Sequence, residues 1–155
     1  MSNIILLHSL LRYFIIIFAL VVVVLSLTGM MRKKKFKKTN KQTALVLLIC
    51  CDLQLLLGLA LYHMGGWLGK VQAKPISRDV AVINRFYGME HAVSMIIAIV
   101  LVHAGYSVTK KNMDDDRKFK RLFWTVFVAL MIFIAMTPWQ SRQLVGRPNV
   151  PQIGS

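Results

Sequence analysis

The segment IILLHSLLRYFIIIFALVVVVLSLTGMMRKKKFKK, residues 4–38, decides the fold. It is a long apolar run whose only charged or imidazole side chains are His8 and Arg12, and it ends abruptly in the six cations Arg32, Lys33, Lys34, Lys35, Lys37 and Lys38. A helix that crosses a bilayer needs about 20 mostly apolar residues, and residues 4–31 supply more than that. The β-branched run Val21 to Val24 favours a strand in water. In hydrocarbon, however, the backbone must satisfy its own hydrogen bonds, so an apolar segment of this length becomes a helix; a transmembrane barrel would show short alternating strands instead. The run has no basic start and no small-residue cleavage site, and its cationic end reads as a stop-transfer signal rather than the end of a signal peptide.

Working outward, three further apolar stretches follow at 43–64, 80–108 and 122–137. Together the four spans take up most of the 155 residues and leave no room for a soluble domain, so the expectation is one all-α membrane domain over 1–155. The composition agrees: 56% of residues are hydrophobic, yet 20 Lys and Arg stand against 6 Asp and Glu, for a net charge of +14. Taken alone, that charge suggests a nucleic-acid partner, but a nucleic-acid binder spreads its cations over a soluble fold, and here they lie between apolar runs. No nucleic-acid partner is expected. Cys50 and Cys51 are adjacent and inside a span, which excludes a disulfide framework and a CxxC site.

The cations set the topology, because short loops rich in Lys and Arg stay in the cytoplasm. Seven lie between Arg32 and Lys41 and six between Lys110 and Arg121, which puts 13 of the 20 on one side. The sequence thus predicts an integral membrane four-helix bundle, up-down-up-down, with both termini outside. Read otherwise, such runs are patches for anionic lipid or nucleic acid; orientation is the commoner meaning, and Asp114, Asp115 and Asp116 do little to change it. Gly65, Gly66, Gly69 and Pro75 interrupt any helix leaving span 2. Ser77 is the expected N-cap of the third helix, with Asp79 in its first turn. Thr137, Pro138 and Trp139 end span 4, and the polar tail at about 141–155, rich in Pro and Gly, is expected to be disordered.

There is no internal repeat, phosphate loop, HExxH or GxSxG, and no span carries GxxxG. Attention therefore falls on polar groups within the spans, which are expensive in hydrocarbon: His8 and Arg12 in the first, Asp52, Gln54 and His63 in the second, and Arg85, Glu90, His91 and His103 in the third. Counted from the cytoplasmic basic edge, His8, His63 and His91 lie at depths of about 36, 33 and 28 Å, at the outer side of a core about 30 Å thick. His103 lies seven residues from Lys110 and is expected to stand alone near the inner surface. Two of the three outer histidines, His8 and His91 by preference and His63 as substitute, are candidates for axial ligands of one b-type haem iron. Arg12 and Arg85 then suit the haem propionates, and Asn84 or Glu90 could orient a ligand ring or an arginine. The plainer reading makes His8 and His63 interfacial and has His91 hydrogen-bond across the bundle.

Asp52, about 16 Å from the basic edge, must be protonated, paired or hydrated. Its sequence-level roles are a proton relay, an acid beside a quinone, or a neutral group locking helix 2 through Gln54, Thr125 or Ser94. Cys50, Cys51 and the nine methionines, which fall at no regular spacing, read as packing.

The segments LLHSLLRYFIII, DLQLLLGLALY, RFYGMEHAVSMIIAIVLVHAGY and TPW, in that order, resemble a family of small four-helix bacterial membrane proteins labelled cytochrome b or cytochrome b-like. The resemblance runs over nearly the whole chain and points to His8, Arg12, Asp52, Gln54, Arg85, Glu90 and His91. It implies a b-type haem and electron transfer with membrane quinones or other respiratory proteins of the bacterial inner membrane. Two paired histidines on each of two helices, the mark of diheme b cytochromes, are not present. The expected function is that of a one-haem carrier or subunit rather than a complete enzyme. The competing expectations are a haem-free scaffold or accessory subunit, whose acids and arginines pair internally, and a permease, for which four helices without a repeat are poorly suited.

Overall fold

The computed structural model describes residues 2–147. Among them there are six α-helices, one π-helical turn and no strand. The helices are α1 (Ser2–Met31), α2 (Lys38–Met64), α3 (Trp67–Gln72), α4 (Arg78–Arg85), α5 (His91–Val108) and α6 (Asp115–Met136), with the π-turn Phe86–Glu90 joining α4 to α5 without a break. Four helical stretches are long and apolar enough to cross a membrane: Asn3–Met31, Lys38–Met64, Arg78–Val108 and Asp115–Met136. Each begins a little earlier than the apolar run does. The polar first turns are helical too, held in α6 by Asp115 and Asp116 at the positive end of the helix dipole and by the pairs Arg117–Asp114 at 3.5 Å and Lys120–Asp116 at 2.7 Å.

The bundle is a ring. α1 packs on α2 and α6, and α5 packs on the same two helices, so α1 and α5 stand diagonally opposite. The buried positions recur at three and four residues: Ile15, Ala19 and Val22 on α1; Ala44, Leu47 and Cys51 on α2; Ala98 and Val102 on α5; Leu122, Val126, Ala129 and Phe133 on α6. That spacing is the seam of helices crossing at a shallow angle. Many of these residues are small, which lets backbones approach closely where lipid gives no hydrophobic push. Gly105 shows how close: a Cβ there would stand 2.5 Å from Thr125 Oγ1 and 3.3 Å from Leu122 Cδ1. The opposite faces carry Leu7, Phe14, Ile17 and Leu20 on α1, Leu56 and Leu59 on α2, and Ile97 and Val100 on α5, all exposed. A bundle with apolar side chains inside and outside is solvated by hydrocarbon, not by water.

The two ends differ. At the basic-loop end, apolar contact predominates: Phe36 and Phe119 meet with ring centroids 5.0 Å apart, and Phe119 fills the place where a Gly29 side chain would be. At the other end the start of α1, the end of α2, the start of α5 and the end of α6 meet through hydrogen bonds described below. Ser77 caps α4 as expected, accepting from Val80 N at 3.3 Å with Asp79 following it. The glycines after α2 do break it, Gly66 with φ of +62°, but a short helix, α3, follows at once and lies on the π-turn.

The first part of the tail lies against the π-turn: Val145 is buried, its carbonyl accepts from Tyr87 Oη at 2.6 Å, and Arg147 Nε donates to the same hydroxyl at 3.0 Å. The half-buried hydroxyl of Tyr87, in the π-turn, is what these residues meet. The rest of the expected disordered tail, 148–155, lies outside the described residues.

Candidate functional site

The histidine end is built around the π-turn. A π-helical insertion carries residues five apart onto one face, and it does so twice here. Arg85 Nε meets Glu90 Oε1 at 2.8 Å, and Phe86 lies 5.8 Å from the His91 ring, centroid to centroid. Tyr87 joins the same group, 6.3 Å from His91 and 5.0 Å from Trp67 of α3. The Gly88 carbonyl takes a hydrogen bond from Tyr62 Oη at 2.9 Å, which ties α2 to the turn. Gly88 has no side chain because Val71 occupies that space, with the Trp67 carbonyl 3.3 Å from where a Cβ would be. Asn84 Nδ2 donates to the Lys70 carbonyl at 3.1 Å and fixes the other end of α3. The turn therefore delivers His91 into the bundle while α3 holds the turn from outside.

His91 Nδ1 lies 2.9 Å from the Met136 carbonyl. A carbonyl only accepts, so Nδ1 carries the proton and Nε2 keeps the lone pair. Met136 is the last residue of α6, and its carbonyl is one of the last three there without a backbone partner, since Thr137 N still donates to Phe133 at 3.1 Å. Each of the three finds a side chain: Trp139 Nε1 on Ile134 at 2.8 Å, Arg142 Nη1 on Ala135 at 3.2 Å, and His91 on Met136; Thr137 Oγ1 adds a second bond to Phe133 at 2.6 Å. His91 is thus a C-cap for a neighbouring helix as well as a candidate ligand.

His8 reaches the same level from the diagonal helix and lies within electrostatic reach of His91 and Arg12. Gly58 leaves its side of α2 open to the ring; a Cβ there would stand 3.4 Å from His8 Cε1. Gln54 Nε2 donates to the His8 carbonyl at 3.0 Å, while His8 Nδ1 and Gln54 Oε1 are buried and have no hydrogen-bond partner among the described residues. Buried orphaned polar atoms are uncommon and call for a ligand or water. Arg12 donates to Tyr13 Oη at 3.1 Å and lies over the Tyr13 and Trp139 rings at 4.7 and 5.6 Å; Arg142 lies 4.8 Å over Phe86. With Arg147 on Tyr87, three guanidiniums surround the mouth of this end.

The remaining candidates fall elsewhere. His63 is exposed in the last turn of α2 and, among the described residues, its side chain has no hydrogen-bond, ion-pair or ring partner. Arg85 is engaged by Glu90 and is largely exposed. His103 does not stand alone: its Nε2 lies 3.3 Å from Asp52 Oδ1, and its Nδ1 lies 3.0 Å from the Ile99 carbonyl. Asp52 accordingly pairs with α5 and not with Gln54, Thr125 or Ser94. Since Nδ1 must donate to a carbonyl, the Asp52–His103 contact holds one proton, either as imidazolium and carboxylate or as neutral imidazole and acid. Gly58, Tyr62, Tyr87 and the tail arginines were not singled out from sequence. The lone glycine within α2 and the Arg85/Glu90 spacing of five are the signals that mark them.

Among the described residues, no group of three or more His, Cys, Asp or Glu side chains could hold a bare metal ion. Two imidazoles, His8 with an unsatisfied buried nitrogen and His91 with its lone pair on Nε2, lie within electrostatic reach of each other at this end. Comparison of the chain with family models, with curated proteins and with solved structures finds no match.

Proposed function

We propose that this chain is a small b-type cytochrome-like protein of the bacterial inner membrane that binds one haem between His8 and His91 and takes part in electron transfer. Its helices run up-down-up-down with the two basic loops in the cytoplasm and both termini and the histidine end outside. The observation that carries the reading is the hydrogen bond from His91 Nδ1 to the Met136 carbonyl. A ligating histidine ordinarily gives its second ring nitrogen to a carbonyl or carboxylate, which fixes the tautomer and the ring and raises its basicity. The diagonal placement of α1 and α5 supports it, because side chains from facing helices form cofactor sites in bundle cores.

In this reading His8 and His91 hold the iron, Gly58 leaves room beside His8, and Gln54 holds the α1 backbone at His8. Arg12, with Arg142 in reach, meets the acidic edge of the cofactor in place of the engaged Arg85. The Phe86 and Tyr87 rings exclude water from the imidazole. Bound haem supplies a one-electron couple at that level of the membrane. A membrane quinone or another respiratory protein is the exchange partner, and the chain acts as a carrier or subunit and not as an enzyme by itself.

One observation favours a second reading, a haem-free accessory subunit: Glu90 and Asp52 both have partners within the bundle, Arg85 and His103. Absorbance spectra of the detergent-purified protein, oxidised and reduced, separate the two. The first reading expects a Soret band and a reduced α band after expression with ample haem, lost in His8→Ala and in His91→Ala but kept in His63→Ala and His103→Ala. A wild-type protein without either band is the haem-free subunit.

A further inference from the structure

Between α5 and α6, at the basic-loop end, runs an open cleft of about 430 Å3. Its floor is Ala104, Ser107 and Thr125, one wall is Trp124, and Lys111 and Arg121 stand at its mouth. The small side chains, with the close approach of Gly105 to Thr125, create the depression. Its hydroxyls are turned inward on their own helices: Ser107 Oγ donates to the Ala104 carbonyl at 2.7 Å, and Thr125 Oγ1 to the Arg121 carbonyl at 2.9 Å. The floor therefore offers hydrocarbon little but apolar surface. Trp124 is 60% exposed beside it, one end apolar and the indole N–H free to meet an interface.

The mouth is cationic and uncompensated. A third cation lining the cleft, Lys120, is held by Asp116 at 2.7 Å, whereas Lys111 and Arg121 have no carboxylate partner among the described residues. α5 ends at Val108, so these cations sit where the apolar span gives way to the basic loop. A second cleft nearby, lined by Met30, Lys33, Lys34, Lys35, Asp115, Asp116 and the shared Lys120, sets four cations against two acids and has one apolar side chain, and so has no path for a hydrocarbon chain.

We infer that the α5/α6 cleft is a specific site for one anionic phospholipid, its phosphate between Lys111 and Arg121 and one acyl chain along Ala104, Ser107 and Thr125 past Trp124. The apolar floor gives nothing to a free phosphate, and the cations give nothing extra to a zwitterionic lipid; only a ligand carrying both a net negative head and a hydrocarbon tail uses both parts. Basic pockets between transmembrane helices select anionic headgroups in this way. The inference does not depend on whether haem is bound.

Native mass spectrometry of the full chain in detergent tests it, by titration with phosphatidylglycerol, with phosphatidylcholine of the same acyl chains, and with inorganic phosphate. One phosphatidylglycerol should bind in preference to phosphatidylcholine, and phosphate should not displace it. Arg121→Gln and Lys111→Gln should each weaken that binding by about fivefold, and Ala104→Phe should weaken it with no change in charge. The Lys33→Gln/Lys34→Gln pair should leave it unaltered. Should Ala104→Phe fail to express, Ser107→Leu blocks the same floor. Equal binding of the two lipids, equal losses from the Lys33/Lys34 pair, or no effect of blocking the floor would each overturn the inference. So would a dimer that Ala104→Phe dissociates without any lipid preference, which would give the cleft to a second copy of the chain.

Discussion

Replacing Gly88 with alanine sets two effects against each other, and their balance reports whether α3 braces the π-turn. Glycine to alanine inside a helix gains up to about 1 kcal/mol from reduced backbone entropy. Against that, the new Cβ would overlap a Val71 methyl and stand 3.3 Å from the Trp67 carbonyl. Valine has little χ1 freedom and a carbonyl has none, so α3 as a whole must shift, at an overpacking cost of about 1–3 kcal/mol. The expected net change is a loss of up to about 2 kcal/mol, which at about 2–4 °C per kcal/mol lowers the melting temperature by up to about 8 °C. Val71→Ala alone removes two partly buried methyl groups and costs about 1 kcal/mol. In the double variant the obstructing methyl is gone and the propensity gain returns, so the two changes should couple by about 1–3 kcal/mol in the stabilising direction. Thermal unfolding of the four proteins in one detergent, followed by circular dichroism, measures the cycle. Strictly additive shifts would refute the idea that α3 sits on Gly88, and with it the account of how His91 is positioned.

Other outcomes follow from single contacts. His91→Ala should cost about 1–3 kcal/mol in protein purified without haem, because it strips the Met136 carbonyl of its cap; unchanged unfolding in that preparation would show the cap to be idle. For Asp52 and His103, a double-mutant cycle with leucine should give a coupling of about 0.6 kcal/mol and no more than about 1.7, with the double variant close to wild type. Zero coupling would mean the 3.3 Å contact is not kept in lipid. Tyr87→Phe removes the hydroxyl that holds Val145 and Arg147, so trypsin should cut after Arg142 faster than in wild type, with the bundle left intact. Gly105→Leu should destabilise α5 against α6 by about 1–3 kcal/mol or more, measured by unfolding; tolerance of the leucine would show the two helices to be farther apart.

The spans were readable because hydrocarbon imposes a length, and a run such as Phe14 to Leu25 has no other use. Their polar ends were less so. Residues 115–121 are helical through charge pairs and the helix dipole, neither of which registers as hydropathy. The phase of His8 relative to Arg12, or of Asp52 relative to His63, could be counted along one helix, but who meets whom across the bundle depends on how neighbouring helices are staggered. That is why His8 and His91 were placed at one level while the Asp52–His103 contact was missed. The π-turn was invisible for a related reason: an inserted residue changes the phase of everything after it, and only the Arg85/Glu90 spacing hints at it. The contact of Val145 with Tyr87 is not legible because the tail's own composition says nothing of a residue fifty-eight positions earlier.

The unequal ends of the bundle imply an order of opening. Gln54 on the His8 carbonyl, Tyr62 on Gly88, Asn84 on Lys70, Tyr87 on Val145 and His91 on Met136 all lie at the histidine end. Toward the other end the hydroxyls of Thr28, Ser107, Thr109 and Thr125 are spent on their own helices, and the rings of Phe36 and Phe119 meet by shape alone. Non-directional contacts yield gradually as helices slide, whereas hydrogen bonds in a dry setting hold until they break. Slow fluctuations should therefore splay the helices from the basic loops, and amide exchange should fade progressively toward the π-turn, making the histidine end the last part of the chain to lose its shape.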